Sequence, residues 1–352
     1  MRLAIDCRCL VEGAPGGIAR YAAEVIPRVV RQLQPLDHVG FTTGWSKASV
    51  HIPALPMQRY RQPNKLLNSR FVATGRPYVD QWLGTDVLFA PTPKFFGLSP
   101  RAKSVITVHD LSFVEHPEFF TFRQRLWHWG LQITSLLQHA TRIIAVSAHT
   151  QEDIVRLVPG VEDRVRVIPS GADHVPPGPH TPLAQLPEKY ILAFAPSEAR
   201  KNVAGILAAH ALAFPQHHVP LVLVGSGAPA HAPAGIIAQP YLTEADRWRV
   251  LANAQLLLYP SLYEGFGFPP LEAMALGVPV IASHVTSLPT VLGEAALLVD
   301  PWDPQDIAQA CLTLLTNPAL HQHYQQFGQT QVRQYTWDAC AEKTAAVLRE
   351  CF

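Results

Sequence analysis

The chain is poor in cysteine and in charge, and it carries no long apolar run. Five of its 352 residues are cysteine (Cys7, Cys9, Cys311, Cys340 and Cys351). An odd, scattered set argues against a disulfide framework and fits a reducing compartment, so the expected location is the cytoplasm. Cys7 and Cys9 are the one close pair; with no second pair beside them they read as core thiols rather than metal ligands. No stretch reaches the roughly 18 uninterrupted apolar residues of a membrane-spanning helix. The opening MRLAIDCRCLVEG is broken by Asp6 and Arg8, a pattern unlike that of a signal peptide. Charged residues are 16% of the chain, against roughly 25% in an average soluble domain. No Cys/His cluster has metal-ligand spacing. His321 and His323 flank a single glutamine on a polar helix and read as solvated.

Hydrophobic residues make up 48% and proline 32 positions, enough apolar mass for large buried sheets punctuated by rigid loops. The length implies about two domains. The formal charge of +1 conceals an asymmetry. Residues 1–175 hold 20 Lys and Arg against 14 Asp and Glu, a net of +6, and residues 176–352 have a net of −5. The basic half reads in two ways, as a face for an anionic acceptor or membrane surface, or as an ordinary solvated exterior. The segment 59–80, with five basic residues and one acid, carries the same two readings. No nucleic-acid partner is expected.

Strand-like runs at 3–6, 39–42, 87–90, 104–108, 142–146 and 165–169 alternate with helical patterns around 18–34, 120–138 and 148–158. Continuous apolar strands separated by helices predict a parallel sheet covered on both faces. Ser147 reads as the N-cap of the 148–158 helix. HVPPGPHTPLAQLPE (174–188), with five prolines in 15 residues, precludes helix or central strand and reads as a linker. The alternation then restarts at 190–195, 221–225, 235–238, 255–259, 279–282 and 296–300, with helices from about 202, over 243–253 and from 270. Three tail helices follow, about 303–315, 317–334 and from Trp337. The expected organisation is a first Rossmann-like domain (1–173), the linker (174–188), a second Rossmann-like domain (189–334) and a terminal helix (335–352).

The strongest local signal is SLYEGFGFPPLEAMALGVPVIAS (261–283), a strand end, a glycine-punctuated loop and a helix entered through Pro269 and Pro270. Gly265 and Gly267 permit positive φ or a close backbone approach. Glu264 and Glu272 flank that loop, where carboxylates can accept hydrogen bonds from sugar or ribose hydroxyls. Alone, Glu272 would read as a complement to the helix N-terminus. ARKN (199–202) follows a strand and opens a helix. Between 202 and 332 the only other basic side chains are Arg247 and Arg249, so Arg200 and Lys201 are the candidates for a diphosphate whose charge grows as a glycosidic bond breaks.

The E-x7-E spacing in EGFGFPPLEA, followed by the Pro-Val-Ile-Ala strand and SLP, resembles the signature of the family-4 retaining glycosyltransferases. The resemblance covers nearly the whole chain. It implies an α/β GT-B fold: two Rossmann-like doubly wound domains facing a central cleft, the C-terminal helix crossing back to the first. It implies transfer of a hexose, mannose or similar, from a GDP- or UDP-linked donor to a glycan or lipid-linked acceptor. By that resemblance Glu264 and Glu272 meet the donor hexose and the ribose, with Gly265, Phe266 and Gly267 beside them, and Arg200 and Lys201 bind the diphosphate. The Gly-Gly loop of GAPGGIARY (13–21) places Gly16 and Gly17 at the donor phosphate and Arg20 near the acceptor. His109 and Asp110 match an HD element that positions the transferred sugar or acceptor. Gly225, Tyr241 and Leu242 line the nucleotide pocket. Asp-x-Asp, the pair that holds a divalent ion in GT-A enzymes, is absent, so no metal or other cofactor is expected. Two features depart from the family: AFAPSEA before ARKN, where relatives have a glycine, and ALGVP (275–279) for a more usual Cys-Gly-Thr-Pro. Two rivals stay open. G-S-G-A-P-A (225–230) read literally is a dinucleotide fingerprint of a nicotinamide-dependent oxidoreductase, and a non-catalytic sugar-nucleotide-binding protein would keep the same donor residues.

Overall fold

A computed structural model of the chain describes all residues except 12–15, 45–50, 230 and 240–241. It divides into two compact units. The first comprises residues 1–113, 121–171 and 336–352; the second comprises 114–120 and 172–335.

The first unit is built on seven parallel strands: β1 (Arg2–Asp6), β2 (Asp37–Thr43), β3 (Met57–Tyr60), β4 (Val87–Ala90), β5 (Lys103–Val108), β6 (Arg142–Ala145) and β7 (Val165–Val167). Their order is β3-β2-β1-β4-β5-β6-β7. The chain winds outward from β1 in both directions, which places the topological switch between β1 and β4, where open α/β sheets bind ligands at the strands' carboxyl ends. β1 and β4 are buried on both faces, Arg2 at the edge excepted, as their unbroken apolar runs predict. β3 was not foreseen. It is an edge strand, half-buried, and MQRY offers no apolar run to read. The helix expected over 120–138 is two, Phe122–Leu131 and Ile133–His139, separated by Gln132 at φ +49°. Ser147 does cap its helix, its side chain accepting from Thr150 N.

The terminal helix Trp337–Arg349 belongs to this unit and packs on the helix Gly17–Gln32. Trp337 is fully buried and sits against Gly171, whose missing Cβ would lie 2.3 Å from the Trp337 amide. Arg28 Nε meets Asp338 Oδ1 at 3.0 Å across the two helices.

The second unit carries six parallel strands, β8 (Ile191–Phe194), β9 (Leu221–Val224), β10 (Ile236–Gln239), β11 (Leu256–Tyr259), β12 (Val280–Ser283) and β13 (Leu297–Val299). Their order is β10-β9-β8-β11-β12-β13, so the switch lies between β8 and β11. One sheet face, with Ile191, Leu223, Leu258 and Ile281, is closed by Ile206 and Ile307 from the helices Val203–His217 and Pro304–Thr316. Between β9 and β10 the described residues contain no helix, and a dinucleotide fingerprint requires one at that point. The Pro-rich 174–188 stretch has no helix or strand, and it is docked on the second unit: Arg249 Nε donates to Thr181 O at 2.8 Å and Asn253 Nδ2 to His180 O at 2.8 Å. His321, read as solvated, is half-buried and donates from Nε2 to Gln255 O at 2.8 Å. The turn of Pro318–Val332 that carries it packs against the start of β11.

Candidate functional site

In the second unit the loops after β8 and β11, the two strands at the switch, bring the sequence-predicted charges together. Glu264 is 6% exposed. Its Oε1 accepts from Lys201 Nζ at 2.5 Å and from Tyr259 OH at 2.8 Å, and its Oε2 from Arg200 NH1 at 3.0 Å. Burial alone would raise the carboxyl's pKa; the Lys201 and Arg200 charges, and then the hydrogen bonds from Lys201 and Tyr259, outweigh it and hold the group at about 2. Glu264 is therefore ionised at any physiological pH.

The cations are fixed in turn by the backbone. Asn202 adopts φ +56°, a left-handed conformation asparagine tolerates, and ends the turn that carries Arg200 and Lys201. Its side chain accepts from Gly205 N and donates to Pro260 O and Pro301 O, at 3.2, 3.1 and 2.6 Å. Arg200 also pairs with Glu198 at 2.6 Å. Glu264 is held from the other side by Thr286 and Ser287: its N–H donates to Thr286 Oγ1 at 3.1 Å and its carbonyl accepts from Ser287 Oγ at 2.9 Å. Thr286 lies at φ +59°. A β-branched residue there is strained, and such strain gathers where a loop must be held in one shape.

Glu272, 5% exposed, lies in the second turn of the helix Phe268–Ala275. Its carboxylate is gripped by Arg247 and by His174 Nε2, the latter at 2.9 Å. Burial pushes its pKa up, but the Arg247 charge and the two hydrogen bonds prevail and the net shift is downward. Arg247 in turn lies 4.9 Å over the Phe194 ring and 4.7 Å over that of Trp248. His174 meets Trp248 and Phe268 edge-on, both at 6.0 Å.

Gly267 caps the helix at φ +92°, and a Cβ there would stand 2.6 Å from Leu288 Cδ2. Gly265 lies between it and Glu264 in the same loop. The Phe266 ring is buried against Phe268 and Tyr335, at 5.4 and 5.6 Å, so the residue offers a ligand its backbone rather than its side chain. Gly225 (φ +138°) has a local reason to be glycine, since a Cβ would come within 2.5 Å of Ala195 O, just after β8. Leu242 is half-buried before the helix Glu244–Ala252; Tyr241 lies outside the described residues.

In the first unit, His109 follows β5 and its Nε2 bonds Pro91 O at 2.8 Å, just beyond β4. A carbonyl only accepts, so Nε2 carries the proton and Nδ1 is left as an acceptor. Burial lowers the His109 pKa, against the raising influence of that bond and of Asp110, which favours the neutral ring. Its face is fixed by the edge of Tyr21 at 4.8 Å. The Oδ1 of Asp110 accepts from Ser112 N at 3.0 Å and Ser112 Oγ at 2.6 Å, capping a short helix. Gly16 is the extended N-cap (φ −156°) and Gly17 the first residue of the helix Gly17–Gln32; Gly13 lies outside the described residues. Arg20 NH1 stands 3.9 Å from Glu24 one turn on.

Sequence reasoning missed His174, the pairing of Arg247, Tyr259 and Thr286. It also passed over the ion pair of Asp6 and Arg8 at the end of β1, each 2% exposed and 2.6 Å apart. Tyr259 had a signal, as the last residue of an apolar strand five positions before Glu264. Among the described residues no group of three or more His, Cys, Asp or Glu side chains converges as metal ligands would.

The model of Glycosyltransferase Family 4 matches residues 15–175, and that of Glycosyl transferases group 1 matches residues 188–317. O-antigen chain mannosyltransferase B of Escherichia coli is 30% identical, the match covering 93% of this chain and 94% of the relative. The serotype-specific mannosyltransferase WbdA of Escherichia coli is 27% identical over 67% of this chain, which spans 32% of that longer protein. Among solved structures, sucrose-phosphate synthase from Thermosynechococcus elongatus superposes with a TM-score of 0.73 at 21% identity, covering 99% of this chain and 98% of its own. Anabaena HepE, in complex with UDP and glucose, gives a TM-score of 0.70 at 17% identity over 99% and 100%. Matched in both halves and along almost its whole length, the chain belongs to the family-4, group-1 glycosyltransferases of GT-B fold.

Proposed function

We propose that this glycosyltransferase takes mannose, or a closely similar hexose, from a GDP- or UDP-linked donor held in the second unit and transfers it with retention to a glycan or lipid-linked acceptor, as a step in building a bacterial surface polysaccharide. The observation that carries the reading is the buried cluster in which Arg200 and Lys201 share one carboxylate, Glu264. Arg200 also meets the half-exposed Glu198, so the four groups sum to zero; a diphosphate arriving at the loop after β8 can replace Glu198 and share the two cations with Glu264. As the bond from the sugar C1 to the diphosphate oxygen breaks, its electron pair passes to the diphosphate, and cations already fixed in place stabilise that charge without reorganising. No divalent ion is required by this arrangement.

Glu264 is a poor nucleophile here. Its lone pairs are engaged by three donors and its pKa is near 2. Its role is to hold the cations and accept from sugar hydroxyls. Retention then follows from attack on the same face, the acceptor hydroxyl giving its proton to the departing phosphate oxygen. Glu272, held rigid by Arg247 and His174, suits the paired ribose hydroxyls. In the first unit the neutral His109, with Nδ1 as acceptor, suits a sugar or acceptor hydroxyl. The mannosyltransferases among the relatives support mannose as the sugar, and the UDP-bound neighbour supports a nucleoside diphosphate in this fold.

A panel of nucleotide sugars tested for turnover with and without EDTA decides the donor and the metal question. Arg200→Ala is expected to lower kcat about 100-fold with the fold intact. Wild-type rates in that variant would refute the leaving-group assignment, and turnover abolished by EDTA and restored by manganese would refute metal independence.

A further inference from the structure

The helix Phe122–Leu131 of the first unit has two faces of opposite meaning. Its inner face is anchored. Leu131 is buried, Trp127, though 44% exposed, meets Phe95 edge-on at 5.3 Å, and His128 stacks on Phe113 at 4.3 Å. Its start is locked by a capping box between Thr121 and Gln124. The helix is thus well held, yet its outer face is apolar. Phe122 is 82% exposed, Leu126 57% and Trp129 74%. Positions i, i+4 and i+7 fall on one stripe of a helix, and Arg125 and Arg123 border that stripe on its two sides, both exposed. Close by is the helix Asn64–Thr74: a Cβ on Gly130 would lie 4.0 Å from Val72 Cγ2. That helix adds exposed Leu66 and Val72 together with Lys65 and Arg70. Neither helix contains an acid, and the segments 38–79 and 119–151 have no Asp or Glu, Glu118 lying just before the second.

We propose that this stripe is a membrane-surface contact, seating Phe122, Leu126 and Trp129 in the interface of an anionic bilayer with Arg123 and Arg125 at the headgroups. Aromatic and leucine side chains on one stripe flanked by arginine are what an interfacial helix needs: apolar area to bury and positive charge to meet acidic lipid. The charge chooses among occupants. In a symmetric dimer through this stripe, the same arginines of both copies would converge with no carboxylate from the stripe to receive them, whereas a layer of anionic headgroups neutralises them. The contact differs from the 59–80 basic segment considered from sequence, because the exposed apolar anchors concentrate on the Phe122–Leu131 helix. No helix among the described residues is long and apolar enough to cross a membrane; this contact lies on the surface. It uses none of the donor-site residues and belongs to the other unit, so the two readings fail separately.

The test is sedimentation of the full chain with vesicles of phosphatidylglycerol and phosphatidylcholine against vesicles of phosphatidylcholine alone. Binding to the anionic vesicles is expected, weakening as salt is raised. Phe122→Ser/Leu126→Ser/Trp129→Ser should lose binding at least tenfold, while its circular dichroism and melting transition stay those of the wild type. Arg123→Gln should weaken binding about fivefold, and Glu264→Gln should bind vesicles as the wild type does. Equal binding of the triple variant, equal binding to both vesicle types, or a concentration-dependent wild-type dimer that the triple variant abolishes in the absence of vesicle binding would each overturn the proposal.

Discussion

Glu264→Gln isolates the electrostatics of the candidate donor site. The substitution keeps the shape and an acceptor for Tyr259 OH, but removes the charge that Lys201 and Arg200 share at 2.5 and 3.0 Å. The Glu264 carboxyl falls from 4.5 in the unfolded chain to about 2 in the fold. That shift is worth about 3 kcal/mol of stability at neutral pH. The sign follows from the direction. A depressed carboxylate stabilises the fold above its unfolded pKa, and the contribution is lost as pH falls from 4.5 towards 2. Glu264→Gln should therefore be about 3 kcal/mol less stable than the wild type at pH 7, a drop of roughly 6–12 °C in the melting temperature of a unit this size. The gap should close progressively below pH 4.5. Melting curves of both proteins at pH 7, 4.5 and 3 test this. A gap under about 1 °C at pH 7, or one that does not change with pH, would refute the ion-pair account. Because the variant removes the carboxylate that its two cations share, GDP or UDP should stabilise it at least as much as the wild type.

Arg247→Met removes the main charge partner of Glu272, and with it the guanidinium over Phe194 and Trp248, while keeping an unbranched side chain to fill the same space. If Glu272 receives the ribose, the affinity for GDP or UDP should fall about tenfold, with inorganic pyrophosphate binding unchanged in a competition assay; equal losses for both would break the link to ribose. Gly267→Ala places a methyl group 2.6 Å from Leu288 Cδ2 at φ +92°, and should cost about 2 kcal/mol by thermal unfolding. A neutral result would show that the loop relaxes freely.

The two sheets were legible because parallel strands buried on both faces leave unbroken apolar runs, and helices between them leave their own period. The failures are local and have physical causes. MQRY (57–60) is half-buried at an edge, so nothing in its pattern separates it from a loop. Gln132 takes a left-handed conformation, while the neighbouring glycine that could announce a break, Gly130, lies two residues earlier inside the helix Phe122–Leu131. In the site, ARKN and EGFGFPP announced a cation pair and a carboxylate. What held them was hidden. His174 is 98 residues from Glu272 and opens a proline-rich stretch that reads as a spacer. Thr286 is β-branched at φ +59°, a conformation that residue preferences argue against. Such positions are set by packing around them, and their own side chains carry no trace of it.

The charge distribution of the second unit constrains how a diphosphate could bind. Arg249 is engaged by Asp246 at 3.0 Å and by the carbonyls of Thr181 and Pro182, and Arg247 by Glu272. Taking either arginine for the phosphates would strip a buried carboxylate or release the docked 174–188 stretch. Arg200 and Lys201 differ, because they share Glu264 between them and the second carboxylate on Arg200, Glu198, is half-exposed and can turn to solvent. A diphosphate can approach them while Glu264 keeps one contact, so donor binding redistributes an existing pairing and leaves no buried charge bare. The same geometry explains why the carboxylate sits at the strand end with its backbone pinned by Thr286 and Ser287. Were Glu264 free to swing away, the two cations would repel each other in the empty site, and the preorganisation that favours the departing diphosphate would be lost.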